Sequence, residues 1–212
     1  VASDLNTNMD IVEYNVIGSS VRLDEIPPHL RKMKLLGRGA TTLAFEKDAS
    51  TVVLFTRDPI KLDWLGHGLR MVHDYHIINP VKGHHIRGMS NQPLYQVTMP
   101  KLYPLNAANR KLVTDEMRKF TQITQKVGLN THAKHTWPQK LNQVIDAYTT
   151  QHPHSVVLPL LEWLMNYDPD QFYMDMGARQ FKQSLNGDLV LLDPVVSKEL
   201  LDLLRSKFAA YK

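Results

Sequence analysis

Apolar and polar positions alternate in short runs through the first half of the chain and shift to a three-to-four-residue spacing in the second. Met33-Lys-Leu-Leu36, Thr41-Thr-Leu-Ala-Phe45 and Thr51-Val-Val-Leu-Phe-Thr56 are runs rich in β-forming residues, separated by Gly37-Arg-Gly39 and by Lys47-Asp-Ala-Ser50. That pattern predicts an antiparallel meander. Ile77-Ile78 and Leu94-Tyr-Gln-Val-Thr-Met99 predict two further strands. Asp58-Pro59 offers an N-cap and a first-turn proline, and apolar Ile60, Trp64, Leu65 and Val72 predict a helix from Ile60 to about His76. Gly66 and Gly68 weaken that helix by roughly 1 kcal/mol each. Ahead of the sheet, residues 1–20 read as a polar arm or edge strand, and Leu23 to Lys32 as a short helix entered through Pro27 and Pro28.

Past Pro100 the spacing becomes helical over Asp115 to Val127, Lys140 to Thr150, Val156 to Tyr167 and Ser197 to Tyr211. Pro104, Gly128, Pro138, Pro153 and Pro169 punctuate these stretches, and Asn186-Gly187 predicts a hairpin turn between Phe181-Lys-Gln-Ser-Leu and Leu189-Val-Leu-Leu. The expected fold is therefore α+β, with residues 1–33 as arm and short helix, 34–102 as a five-strand sheet with one helix, and 103–212 as a helical region. The boundary falls near Met99 to Tyr103, short enough to serve as a hinge between two lobes.

Composition narrows the classes. An apolar fraction of 43% over 212 residues supports a sizeable core, which excludes a disordered or fibrous chain. Without cysteine there are no disulfides, thiolate zinc sites or thiol nucleophiles, and the expected compartment is cytoplasmic. No apolar stretch approaches the ~18 residues of a membrane span, and the polar opening Val1-Ala-Ser-Asp lacks the basic and apolar regions of a signal peptide. The net charge of +4 suits contact with phosphate or an acidic partner and equally suits a solvated surface. Arg31, Lys32, Lys34 and Arg38 have no interleaved aromatic platform, which argues against nucleic acid. Ten histidines include local groups at His84-His85, His132, His135, His152 and His154, yet none has the one-face helical spacing of a metal motif. They read as loop and helix-end surface residues.

The chemistry gathers around Asp175-Met-Gly-Ala-Arg-Gln180 and Asp193. A helix, an acidic loop, a short hairpin and a terminal acid place Asp175, Gln180 and Asp193 at one mouth. A carboxylate there can accept a hydroxyl proton, and oxygen ligands can hold Mg²⁺ against phosphates. Taken singly, Asp175 also reads as a turn cap and Asp193-Pro194 as a helix start. Gly37 and Gly39, lying between two strands, allow a turn tight enough to bring N–H groups over a nucleotide, or make an ordinary hairpin turn.

Asp175-Met-Gly-Ala-Arg-Gln-Phe followed by Asn186-Gly-Asp-Leu-Val-Leu-Leu-Asp193-Pro-Val-Val-Ser197 resembles the catalytic core of the small protein kinases encoded by podophages. Leu35-Leu-Gly-Arg-Gly-Ala-Thr-Thr-Leu-Ala-Phe45 is similar to their glycine-rich loop, and Leu94-Tyr-Gln-Val-Thr-Met-Pro-Lys-Leu102 to their fifth strand and hinge. The pieces occur in the family's order from Lys34 to Ser197. The resemblance implies a two-lobed protein-kinase-like fold, with an N-terminal antiparallel sheet carrying one helix and a short, mostly helical C-terminal lobe. It implies ATP and Mg²⁺ as cofactors, Asp175 as catalytic base, Asp193 and Gln180 as metal ligands, Gly37 and Gly39 as the lid, and Met99 and Lys101 in the segment meeting adenine.

This chain departs from that pattern. Gln180 stands where the family has Asn, Thr42 where the loop has its third glycine, Met174 where a basic residue precedes the base, and Leu54 where the third strand carries its phosphate-binding Lys. Arg57 or Lys61 could supply the missing cation, and Asp63 or Asp74 the acid paired with it, although both acids read more simply as surface residues. Only nineteen residues follow Asp193, which gives the expectation of a lobe without an activation segment. Losing a charged donor at the phosphates costs about 3 kcal/mol of transition-state stabilisation or more. The combined expectation is an impaired kinase or pseudokinase that acts by binding a protein partner, a host factor or a phage assembly component, in the cytoplasm of an infected host. The alternative is an active, atypical Mg/ATP-dependent serine/threonine kinase.

Overall fold

The computed structural model describes residues 20–78, 89, 92–129 and 134–209. The expected arm at 1–19 and the histidines His84, His85 and His132 lie outside the described residues. The fold is α+β, with a five-stranded antiparallel sheet and, among the described residues, five α-helices. The chain divides into two compact units, one of residues 1–59, 72–100 and 199–212, the other of residues 60–71 and 101–198.

The first unit is built on the sheet. Strands β1 (Leu35–Arg38), β2 (Thr42–Glu46), β3 (Thr51–Thr56), β4 (Asp74–Ile78) and β5 (Leu94–Pro100) stand in the order β1-β2-β3-β5-β4. The meander follows the alternation read from the sequence, because Leu43 and Phe45 on β2 and Val53 and Phe55 on β3 turn their side chains into one core. Phe45 meets Phe55 edge to face at 5.8 Å. Val21, Ile26 and Leu30 complete this core.

The segment expected to be helical from Leu23 to Lys32 is instead a single 3₁₀ turn, Leu23–Glu25. Pro27 is the reason: the residue before a proline is pushed out of the helical region, and Ile26 is extended at ψ 136°. Glu25 then turns inward to a fully buried ion pair with Arg57, at 2.6 Å, while Arg57 also donates to the Ser20 carbonyl at 2.7 Å. Helix α5 (Lys198–Ala209) sets Leu200 and Leu204 against Met89 in this unit.

The second unit is helical. Its helices are α1 (Pro59–Asp63, which begins at the unit's edge), α2 (Ala107–Val127), α3 (Trp137–Gln151) and α4 (Leu158–Leu164). Their core holds Trp64, Trp137, Tyr148, Leu160, Leu161 and Phe172. The helix expected from Ile60 to His76, and assigned with the sheet, is shorter and groups with this unit. After α1 the backbone widens into one π-helical turn, Trp64–Gly68, and β4 begins at Asp74. Gly68 explains the change, since a Cβ there would lie 2.0 Å from the Trp64 ring, so the indole occupies the space a side chain would need.

Helix α2 starts at Ala107 rather than near Asp115, because the Asn106 side chain caps it by accepting from the Asn109 N–H at 2.8 Å. It ends at Gly128, whose φ of 69° is the left-handed conformation of a glycine cap. Two small ladders finish the unit: β6 (Phe172–Met174) with β9 (Val195–Ser197), and β7 (Phe181–Gln183) with β8 (Leu189–Leu191).

A candidate charged site at the end of two short ladders

The ladders decide where the acids sit. Met174 pairs with Val195 across β6 and β9, and the next residue, Asp175, donates its N–H to the Pro194 carbonyl at 2.7 Å. Phe181 pairs with Leu191 across β7 and β8, and the Leu192 N–H donates to the Gln180 carbonyl at 2.8 Å. Asp175, Gln180 and Asp193 are therefore drawn together from positions apart in sequence. The turn that makes this possible centres on Gly187, with φ at 89°.

Asp175 is densely solvated by protein. One carboxylate oxygen accepts the Gly177 N–H at 3.1 Å; the other accepts from Arg179 and from the Gln180 side-chain amide, each at 2.6 Å. Partial burial pushes this carboxyl up, but the hydrogen bonds from Arg179, the Gly177 N–H and Gln180 outweigh it and hold the group below its ordinary range. Arg179 is pushed up in turn by its hydrogen bond to Asp175 and the charge there. Gln180 spends its side-chain amide nitrogen on Asp175, which leaves the side-chain carbonyl oxygen as that amide's acceptor.

Asp193 is paired with Lys61, Nζ to Oδ2 2.9 Å apart, the Lys side chain 8% exposed and the Asp side chain 37%. Arg57 is wholly buried on Glu25, whereas Lys61 reaches an acid of the cluster. Leu54, at the strand position without a Lys, is buried between Ala44 and Val97.

Asp63 and Asp74 lie in different settings. Asp74 lies exposed beside His76 at 2.9 Å, as a surface residue would. Asp63 corrects the surface expectation. It accepts hydrogen bonds from Trp163 Nε1 at 2.8 Å and from the Tyr167 hydroxyl, and it meets His67. Burial pushes Asp63 up, and the hydrogen bonds from Tyr167, His67 and Trp163 more than reverse that. The Tyr167 phenol is pushed up by burial and by its bond to Asp63.

The remaining candidates belong to other parts of the chain. Gly37 faces Ala44 beside an irregularity in the β1 and β2 pairing, and the Gly39 N–H donates to the Thr42 carbonyl at 2.8 Å. That bond commits Gly39's donor to the turn. A Cβ at Gly37 would meet nothing within 4 Å, so its glycine character leaves open space above the strand. Met99 is buried in β5 opposite Val52. Lys101 lies in the helical unit with its ammonium 5.6 Å from the Tyr103 ring centre, and Met174, before the acidic loop, is partly buried in β6. Among the described residues no group of three or more His, Cys, Asp or Glu could hold a metal ion, and no helix is long and apolar enough to cross a membrane.

Sequence reading missed Arg179 and the aromatic setting of Asp63. The four-residue spacing of Asp175 and Arg179 was a signal for the first; nothing local signals the second. No family model and no curated protein matches this chain.

Proposed function

We propose that this protein is a divergent, kinase-like protein of the two-lobed type that binds Mg²⁺-ATP through Asp193 and Lys61, transfers phosphate poorly, and acts chiefly by binding a protein partner, a host factor or a phage assembly component. The observation that carries this reading is the Lys61 and Asp193 pair at 2.9 Å. Asp193 is a partly exposed oxygen donor of the kind Mg²⁺ takes. When a metal engages that carboxylate, the Lys61 ammonium lies beside it as a point charge for phosphate oxygens, the task the third strand cannot perform with Leu54. The side-chain carbonyl oxygen of Gln180 would complete the metal's protein ligands. When bound, Mg²⁺ supplies charge neutralisation at the phosphates.

Asp175 supports the impaired part of the reading. A base must accept a proton from a hydroxyl, and this carboxylate already accepts from Arg179, Gln180 and the Gly177 N–H, which lowers its basicity. One observation favours the active alternative: the Asp175 side chain is 36% exposed, so a substrate hydroxyl has access to it.

Calorimetry and thermal shift with ATP and Mg²⁺ test the reading on the wild type, Asp193→Ala and Lys61→Met. Stabilisation of the wild type that is lost in Asp193→Ala and weakened in Lys61→Met is expected, because a ligand stabilises only the state that binds it. No shift at millimolar ATP sinks the proposal. Radiolabel transfer abolished in Asp175→Ala would replace the impaired reading with the active one.

A further inference from the structure

The element that carries Lys61 is too short to hold it. Helix α1 has five residues, and a helix of one turn is not stable by itself in water. A lysine side chain also gives up substantial rotamer entropy when its ammonium is fixed. Something outside the helix must therefore hold Lys61 against Asp193.

The next few residues hold two anchors. Asp63 accepts from Trp163 Nε1 and the Tyr167 hydroxyl, both at the end of α4 or just beyond it. Trp64 is completely buried, meets Trp163 at 5.5 Å between ring centres, and donates its Nε1–H to the Leu191 carbonyl at 3.2 Å. Leu191 lies two residues before Asp193. Trp64 thus grips the strand that presents the acid while lying three residues from the lysine, and Asp63 fastens the same turn to α4. The wide turn after Trp64 and the bare Cα of Gly68 give the indole its place.

We propose that Asp63 is a positioning residue for nucleotide binding, fixing the turn that holds the Lys61 ammonium on Asp193 by way of Trp163 and Tyr167. The inference rests on the proposed Mg²⁺-ATP reading for its purpose, but the positioning itself is measurable without nucleotide. Asp63 does not pair with the lysine. It orients the backbone from which the lysine extends.

The test is a pair of double-mutant cycles, which isolate an interaction from the individual effects of its members. In the first, without ligand, the coupling between Lys61 and Asp193 is measured from the unfolding midpoints of wild type, Lys61→Met, Asp193→Asn and the double variant. The set is repeated in an Asp63→Ala background and, as a milder change, in a Tyr167→Phe background. Coupling is expected in the wild-type background, reduced with Tyr167→Phe and absent with Asp63→Ala. In the second, Asp63→Ala weakens Mg²⁺-ATP by about tenfold, the scale of one lost well-placed interaction, and has no effect where Lys61 is already Met. Coupling absent in the wild type, coupling that survives both backgrounds, or an Asp63→Ala effect of equal size with and without Lys61 overturns the proposal. If Asp63→Ala does not fold, the Tyr167→Phe cycle decides it. Should the wild type bind no nucleotide, the functional reading fails while the ligand-free cycle still judges Asp63.

Discussion

Arg57 and Lys61 lie four residues apart and each holds a carboxylate, yet the two ion pairs have opposite characters. Arg57 and Glu25 are sealed, with side-chain exposures of 0% and 1%, and the guanidinium spends further donors on Glu25 Oε2 and the Ser20 carbonyl. Lys61 is nearly buried, but its partner Asp193 is 37% exposed. A buried charge cannot leave its partner without a large desolvation cost, so the first pair is fixed into the fold. An acid open to solvent can take a second ligand while its cation waits beside it. Burial of the partner, more than the distance, separates a structural pair from one suited to binding.

The sharpest way to break that comparison is to delete one acid from each pair. Glu25→Ala leaves Arg57 buried without its counter-charge and is expected to cost about 3–5 kcal/mol in urea unfolding, or to prevent folding. A loss below about 1 kcal/mol would show that the sealed pair is not fixed into the fold. Lys61→Met should cost under about 1 kcal/mol, because the exposed face of Asp193 lets water replace the ammonium. If it destabilises as much as Glu25→Ala, the contrast collapses.

The smallest effect concerns acid. The folded Asp175 carboxyl lies below its ordinary value of 3.8, so its contribution to stability is complete above about that pH and disappears as pH falls through the lower folded value. Replacing Arg179 by Ala removes the strongest of the partners that lower it. The Asp175 midpoint, followed by carboxyl NMR, is expected to rise and the acid limb of the stability curve to move upward with it. An unchanged midpoint would assign the lowering to the Gly177 N–H and Gln180 instead.

How legible each feature was in the sequence follows from how local its cause is. The valine-rich run at Thr51 to Thr56 forms β3 over the expected residues, because both faces of that strand are largely buried and its composition says so. The hairpin beside the acids was legible for a similar reason, since Asn186-Gly187 and two apolar runs are enough to build it. The helix after Asp58-Pro59 was not, because its length depends on where the Trp64 ring settles relative to Gly68. The start of α2 escaped as well: Asn109, behind its cap, bonds the Gln183 side chain and the Gly187 carbonyl, contacts made 74 and 78 residues away. Arg57 and Lys61 could not be told apart in the sequence, since the difference between their settings depends on Glu25 turning inward onto Arg57.

The Lys61 and Asp193 contact spans 132 residues, and the Trp64 bond to Leu191 spans 127. Asp175 and Asp193, by contrast, are joined through a hairpin and a three-residue ladder within one short stretch of chain. Closing a long loop costs more entropy than closing a short one, and contacts of high sequence separation form slowly. In folding, the acids can find each other by local zipping, whereas the ammonium arrives only when distant segments have condensed around the indole. The ion pair is thus a marker of maturation, and a nucleotide that needed both members would bind the finished fold and ignore its precursors.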